Sequence, residues 1–142
     1  MRNQAQLAWR SPLAILSLIL GIAIIFLGAN FIVDPHAAAT AYGVRVSSTD
    51  ADPFLMAKGL RDVASGLVLA SLLAFAPARA VVLFVLAMTV VPFGDAALVA
   101  TTGHAPAYAV PMHAITGLVM LTMSLLMIRR SRHTRAEQGA VK

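Results

Sequence analysis

The residues of this chain best suited to chemistry are Lys58, Arg61 and Asp62, which lie inside an otherwise apolar run. On a helical period of about 3.6 residues they share one face with Ser65, and Lys58 and Asp62 have the four-residue spacing at which side chains meet. Charge is costly inside a bilayer and usually has a function there. We therefore predict that the three residues bind a ligand, with the two cations orienting one of its oxygen atoms.

Two further residues, Asp95 and His113, are predicted to reach the same layer. With a rise of about 1.5 Å per residue from the predicted outer ends of the helices, Lys58, Asp95 and His113 lie about 8–9 Å inside the membrane. Arg61 and Asp62 lie slightly deeper. Carboxylate and imidazole groups transfer protons in general acid–base catalysis. Asp95 and His113 are therefore the candidate catalytic residues of a cavity that opens toward the outer leaflet.

Simpler interpretations of these groups stay open. The two cations and the two aspartates balance in charge, so they are also suited to an ionic clamp that only sets the register of the helices. A hydrogen-bonded structural role is the commoner one for a histidine such as His113. No metal site is predicted, because Lys58 and Arg61 occupy the helix face that would carry Asp62 as a ligand. No cofactor is predicted either.

Composition indicates a membrane protein. Apolar residues make up 59% of the chain and charged residues 12%, and the mean hydropathy is +0.82, whereas soluble domains carry about 25% charged residues. The absence of cysteine excludes disulfides and thiolate sites. The positive charge concentrates at the termini without interleaved aromatic residues, so nucleic acid is not predicted as a partner.

The apolar segments predict an all-α fold, an integral membrane four-helix transmembrane bundle. A short N-terminal segment covers residues 1–12, the transmembrane domain residues 13–128, and a basic tail, predicted to be disordered, residues 129–142. The predicted spans are residues 13–33, 53–75, 80–101 and 107–128. A cleaved signal peptide is the alternative for the first span, but its uncharged run is longer than the about 7–15 residues of such peptides.

Local signals refine this prediction. Asp52 followed by Pro53 is typical of a helix start, with Asp52 as N-cap. Gly43 is predicted to end a short interfacial helix over residues 37–42, and Pro92 to kink the third span just before Asp95. Two sets of small residues predict close helix packing. They are Gly21 and Gly28 in the first span, and Gly66, Ala70 and Ala74 in the second.

The distribution of lysine and arginine predicts the orientation. Eight of these residues lie in the N-terminal segment, the turn at Arg79 and the tail, whereas Arg45 alone lies in the two connections on the other side. Because cytoplasmic loops are enriched in Lys and Arg, both termini are predicted to be cytoplasmic. The chain is accordingly expected in the inner (plasma) membrane as a multi-pass protein.

Four short motifs resemble a known family. They are Ala41 to Val44 (AYGV), Ala57 to Asp62 (AKGLRD) with Ser65 and Gly66, Pro92 to Asp95 (PFGD), and His113 early in the last span. Together they resemble the small four-helix membrane proteins of bacteria and fungi grouped as domain of unknown function 4267. A glycine often follows the histidine in that family, whereas Ala114 follows it here. The resemblance implies the topology and a shared polar site, but no reaction. By fold-level analogy the chain is also similar to small membrane proteins of the DoxX type.

Three functions are compatible with these features. The leading hypothesis is binding, with acid–base conversion, of a small lipophilic ligand that arrives from the bilayer. The second is a structural or accessory subunit, or a homo-oligomer, whose ion pairs only assemble the bundle. The third is proton-coupled export, which is disfavoured because the first span lacks the carboxylate that small drug transporters carry there.

Overall fold

The computed structural model describes residues 11–140, with side chains for residues 11–130. Residues 1–10 of the N-terminal segment, which is predicted to be cytoplasmic, and the last two residues of the tail lie outside the described residues. Within that range the chain forms helices and connections without a strand. The helices are α1 (Pro12–Val33), α2 (Pro35–Tyr42), a single 3-10 turn (Thr49–Ala51), α3 (Asp52–Phe75), α4 (Ala78–Met88), α5 (Val90–Thr101) and α6 (Ala109–Ala140).

Helix starts follow local chemistry. The Ser11 hydroxyl accepts a hydrogen bond from the Ala14 amide at the start of α1, and a carboxylate oxygen of Asp34 accepts one from the Ala37 amide at the start of α2. The prediction for α3 was wrong in detail. Asp52 is its first helical residue rather than its N-cap, because the preceding 3-10 turn already brings the backbone into a helical conformation.

Helices α1 and α3 are antiparallel and meet backbone to backbone. A Cβ atom added to Gly28 would lie 2.6 Å from the Gly59 carbonyl oxygen, and one added to Gly59 would lie 2.5 Å from the Gly28 carbonyl oxygen. Two helical turns away, Gly66 approaches the Gly21 carbonyl oxygen in the same way. Such contacts are possible only between residues without side chains. The packing roles predicted for Gly21, Gly28 and Gly66 are confirmed, with Gly59 as an additional member, while those of Ala70 and Ala74 stay predictions.

The third predicted span is broken into α4 and α5 at Thr89. Pro92 has no N–H group and therefore cannot bond to the carbonyl of Met88, four residues earlier. The helix breaks at the next residue, Thr89. The Thr89 hydroxyl donates a hydrogen bond to the Leu86 carbonyl at 2.5 Å. The effect of Pro92 is confirmed, although the break lies three residues before the proline and not beside Asp95.

Helix α6 is longer than predicted. It continues to Ala140, through the tail that was predicted to be disordered. The tail continues the helix because residues 129–138 contain no proline or glycine and include strong helix formers such as arginine, alanine, glutamate and glutamine.

A hydrophobic core fills the space between α3, α4 and α6. Its buried members are Leu69, Leu73, Val81, Val82, Val85, Met120, Met123 and Met127. This end of the bundle, where α1 begins and where α6 carries Arg129, is called the basic end below, and the opposite end, which carries α2, is called the loop end.

Within the described residues, three helical segments are long and apolar enough to cross a membrane. They are Pro12–Val33, Ala78–Thr101 and Ala109–Arg130. Helix α3, which carries Lys58, Arg61 and Asp62, is not among them.

Candidate functional site

The candidate site is centred on Tyr42, the last residue of the short helix α2 at the loop end. Helix α2 stops there because Gly43 adopts φ 109° and its amide donates to the carbonyls of Ala39 and Thr40, which confirms the predicted stop signal. Gly43 also touches α5 and α6, since a Cβ atom there would lie 2.6 Å from the Cβ atom of Ala109. The turn thus fixes Tyr42 against the bundle. Tyr42 and the side chains around it are called the Tyr42 cluster below. They are Lys58, Asp62, Asp95 and His113.

On the α3 side, Lys58 and Asp62 form an ion pair. The Lys58 Nζ atom donates to Asp62 Oδ2 at 2.6 Å, as their four-residue spacing predicted. The same ammonium lies 4.5 Å from the centroid of the Phe31 ring and 5.0 Å from that of the Tyr42 ring, within the range of cation–π attraction. The ion pair remains partly accessible, with side-chain exposures of 29% for Lys58 and 23% for Asp62.

On the opposite side, Tyr42 contacts α5 through Asp95. The side chains of Tyr42 and Asp95 are joined by a hydrogen bond, in which the phenol donates to the carboxylate. Burial of the ring, followed by this bond and by the negative charges of Asp95 and Asp62, raises the pKa of Tyr42 above that of a free tyrosine. The phenol therefore stays protonated and acts as a donor between two carboxylates.

The ionisation of Tyr42 is directly testable, because the chain contains only two tyrosines. In the Tyr108→Phe variant, the tyrosinate absorbance reports Tyr42 alone. We expect it to stay low at about pH 10, where a free tyrosine is half ionised. The same variant unfolded in denaturant should titrate normally and serves as the control. Half ionisation of the folded variant near pH 10 would contradict the position of Tyr42 described here.

His113 is buried and holds α2 in place. Its Nε2 atom lies 2.9 Å from the Tyr42 carbonyl oxygen. Since a carbonyl only accepts, Nε2 carries the proton. The centroids of the His113 and Tyr42 rings are 4.5 Å apart. In the neutral ring, Nδ1 alone is then left to accept a proton.

Arg61 lies outside the cluster. Its side chain is exposed, and its Nε atom donates to the carbonyl of Ala57 in the same helix at 3.3 Å. Asp62, one of the two aspartates of the predicted ionic clamp, is paired with Lys58 and not with Arg61. The structure thus brings together four of the five predicted site residues. Their assignment as ligand-binding (Lys58, Arg61, Asp62) or catalytic (Asp95, His113) stays a prediction.

A second polar contact braces the connection between α2 and α3. His36 Nε2 lies 2.8 Å from Asp52 Oδ1, and His36 Nδ1 lies 3.1 Å from the Val46 carbonyl oxygen. The imidazole of His36 thus lies between the Val46 carbonyl and the Asp52 carboxylate. This contact ties the start of α2 to the start of α3. Among the residues that the structure describes, no group of histidine and carboxylate side chains is arranged to hold a metal ion.

The sequence analysis gave no site role to Tyr42 or Phe31. The available signal was the position of Tyr42 directly before a helix-stopping glycine, which fixes the direction of its side chain relative to the turn. Phe31 is buried and lies edge-on to Tyr42, with ring centroids 6.0 Å apart. It carries no polar group and could not be distinguished from an ordinary packing residue.

Comparison with known proteins gives one family. The model of the family described as Domain of unknown function (DUF4267) matches residues 21–127, a range that contains every member of the Tyr42 cluster. No curated protein and no solved structure matches the chain.

Proposed function

The chain belongs to the DUF4267 family, and we propose that it is a four-helix protein of the inner membrane that binds a small lipophilic molecule at the Tyr42 cluster. The observation that supports this most directly is the accessible Lys58–Asp62 pair beside a protonated phenol. A cation, two carboxylates and a hydroxyl thereby meet within an otherwise apolar bundle. These polar groups together are suited to binding the oxygen-bearing end of a mostly apolar ligand.

The proposal treats α3 as the fourth span. Its 24 residues extend over about 36 Å, enough to cross a hydrocarbon core of about 30 Å. Its backbone contact with α1 places it alongside a helix that is itself apolar enough to span the membrane. Lys58 and Asp62 neutralise each other, which reduces the cost of burying them. With Arg79, Arg129 and Arg130 at the basic end, that end is proposed to face the cytoplasm.

In this proposal the side chains have distinct roles. Lys58 orients an oxygen atom of the ligand while it retains Asp62 as its counter-ion. Arg61, on the exposed side of α3, meets the ligand as it approaches. Asp95 can accept a proton through the Tyr42 hydroxyl, and Nδ1 of His113 is the second candidate proton acceptor. Any acid–base conversion therefore takes place at Tyr42.

The test uses a variant that leaves no unpaired charge, Lys58→Met with Asp62→Asn. We expect the wild-type protein purified in detergent to retain one small molecule, detected by mass spectrometry of its organic extract. The double variant should retain it about 10- to 100-fold less, the equivalent of a lost charged hydrogen bond. Arg45→Gln, an exposed charge change in the loop after α2, is the matched control.

The alternative is a structural or accessory subunit, which is favoured by one observation. Lys58, Asp62, Asp95 and His113 all have partners within the protein. If that interpretation is correct, wild type and double variant carry the same mixture of lipids, and Asp95→Asn lowers the unfolding free energy by about 1.5–3 kcal/mol. If Asp95→Asn is instead as stable as wild type while the bound molecule is lost, the charge is retained for the ligand.

A further inference from the structure

A crevice between α1 and α6 extends to the basic end, on the side of α6 opposite His113. It has a volume of about 290 Å³ and runs along α6 from Ile115 to Leu126, with Leu13 and Leu16 of α1 as its other wall. The lining is apolar apart from Thr122. We propose that this crevice, together with Arg129, binds one anionic phospholipid, with an acyl chain in the crevice and the phosphate at the arginine.

The dimensions of the crevice match an acyl chain. From Ile115 to Leu126 the α6 wall is about 16 Å long, which is half of a hydrocarbon core of about 30 Å and therefore the depth of one leaflet. The free volume of about 290 Å³ is spread along this length as a groove that is open on one side. An alkyl chain about 4–5 Å across fits such a space. A second copy of this basic chain would gain nothing from the arginine at the end of the crevice, so it is a poorer occupant than an anionic lipid.

The charge at the end of the crevice selects the head group. Ile115, Thr122 and Arg129 follow each other at seven-residue intervals, so Arg129 lies on the crevice face of α6. Arg129 is exposed and stands about 4–5 Å beyond Leu126 along the helix axis. A guanidinium at the head-group level beside an apolar groove pairs with a lipid phosphate, and its planar fork permits two parallel hydrogen bonds.

Native mass spectrometry of the full chain in detergent tests the head group. We expect one molecule of phosphatidylglycerol to bind about fivefold more tightly than phosphatidylcholine with the same acyl chains, and Arg129→Gln to remove this preference. Arg79→Gln has the same charge change at the same end, but lies on α4, which does not line the crevice. It should leave the preference unchanged. Equal binding of the two lipids by wild type, or an equal loss in Arg79→Gln, would overturn the proposal.

A second pair of variants tests the acyl chain. Leu118→Trp places a large ring in the crevice and should weaken the binding of both lipids, whereas Leu83→Trp, on the exposed face of α4, should not. Displacement of the lipid by glycerol phosphate at concentrations equal to those of phosphatidylglycerol would show a site for a soluble anion and would also overturn the proposal. Because these variants lie outside the Tyr42 cluster, the result is independent of the ligand proposed there.

Discussion

Replacing Gly28 with alanine is expected to separate α1 from α3 and to lower the free energy of unfolding by about 2 kcal/mol. The new Cβ atom would lie 2.6 Å from the Gly59 carbonyl oxygen and 2.8 Å from the Val63 amide nitrogen. These are backbone atoms, which cannot rotate away as a side chain would. Overpacking of this kind costs up to about 3 kcal/mol, and the better helix propensity of alanine returns about 1 kcal/mol.

Two other glycines provide matched controls for this prediction. At Gly21, in the same helix, a Cβ atom would find its nearest neighbour at 3.5 Å, and at Gly94 it would find none within 4 Å. Gly21→Ala and Gly94→Ala should therefore be neutral or slightly stabilising in the same thermal unfolding experiment, followed by helical circular dichroism in detergent. If all three variants lose the same stability, the close contact between α1 and α3 is not what makes Gly28 necessary.

Replacing Gly43 with alanine is expected to destabilise the protein by about 3 kcal/mol and to release Tyr42 from the bundle. Two costs combine at this position. A residue with a side chain is strained at φ 109°, by about 1–2 kcal/mol. The added Cβ atom would also lie 2.6 Å from the Cβ atom of Ala109, where α6 begins.

The comparison with Gly103 separates these two costs. Gly103 also has a positive φ, 68°, but nothing lies within 4 Å of its added Cβ atom, so Gly103→Ala carries the backbone strain alone. Combined with Tyr108→Phe, Gly43→Ala should also shift the ionisation of Tyr42 toward that of a free tyrosine, whereas Gly103→Ala should not. Equal stability losses without a change in the Tyr42 titration would contradict the role given to the Gly43 turn.

Much of the helical framework was predictable because its signals are local. Proline at helix starts, the stop at Gly43 and the break caused by Pro92 all follow from backbone geometry within a few residues. The convergence of Lys58, Asp62, Asp95 and His113 was predictable from depth, since α3, α5 and α6 carry these polar groups at similar distances from their ends at the loop end. The Lys58–Asp62 pair follows from helical spacing.

The position of Arg61 was not predictable in the same way. On a helical wheel Gly59 and Gly66 lie on nearly the same side of α3, while Arg61 lies about 150° away from them. The glycines determine which side of α3 faces α1, and Arg61 is thereby turned outward. The three charged residues occupy a stripe about 100° wide, and the sequence alone does not indicate which edge of that stripe is buried. Tyr42 was missed because its role depends on the fold of a connection, not on a helix period.

The contact between α1 and α3 also has a consequence for the Tyr42 cluster. The Cβ atom of Asp62 lies 2.9 Å from the position that a Cβ atom of Gly28 would occupy, so the backbone of one helix locates the carboxylate on the other. Tyr42, by contrast, is carried by an eight-residue helix in a connection. One wall of the cluster is therefore set by backbone packing between two long helices, and the other by the Gly43 turn and the His113 contact. The separation between the Tyr42 phenol and the Lys58–Asp62 ion pair is consequently set by two independent contacts, one on each side of the cluster.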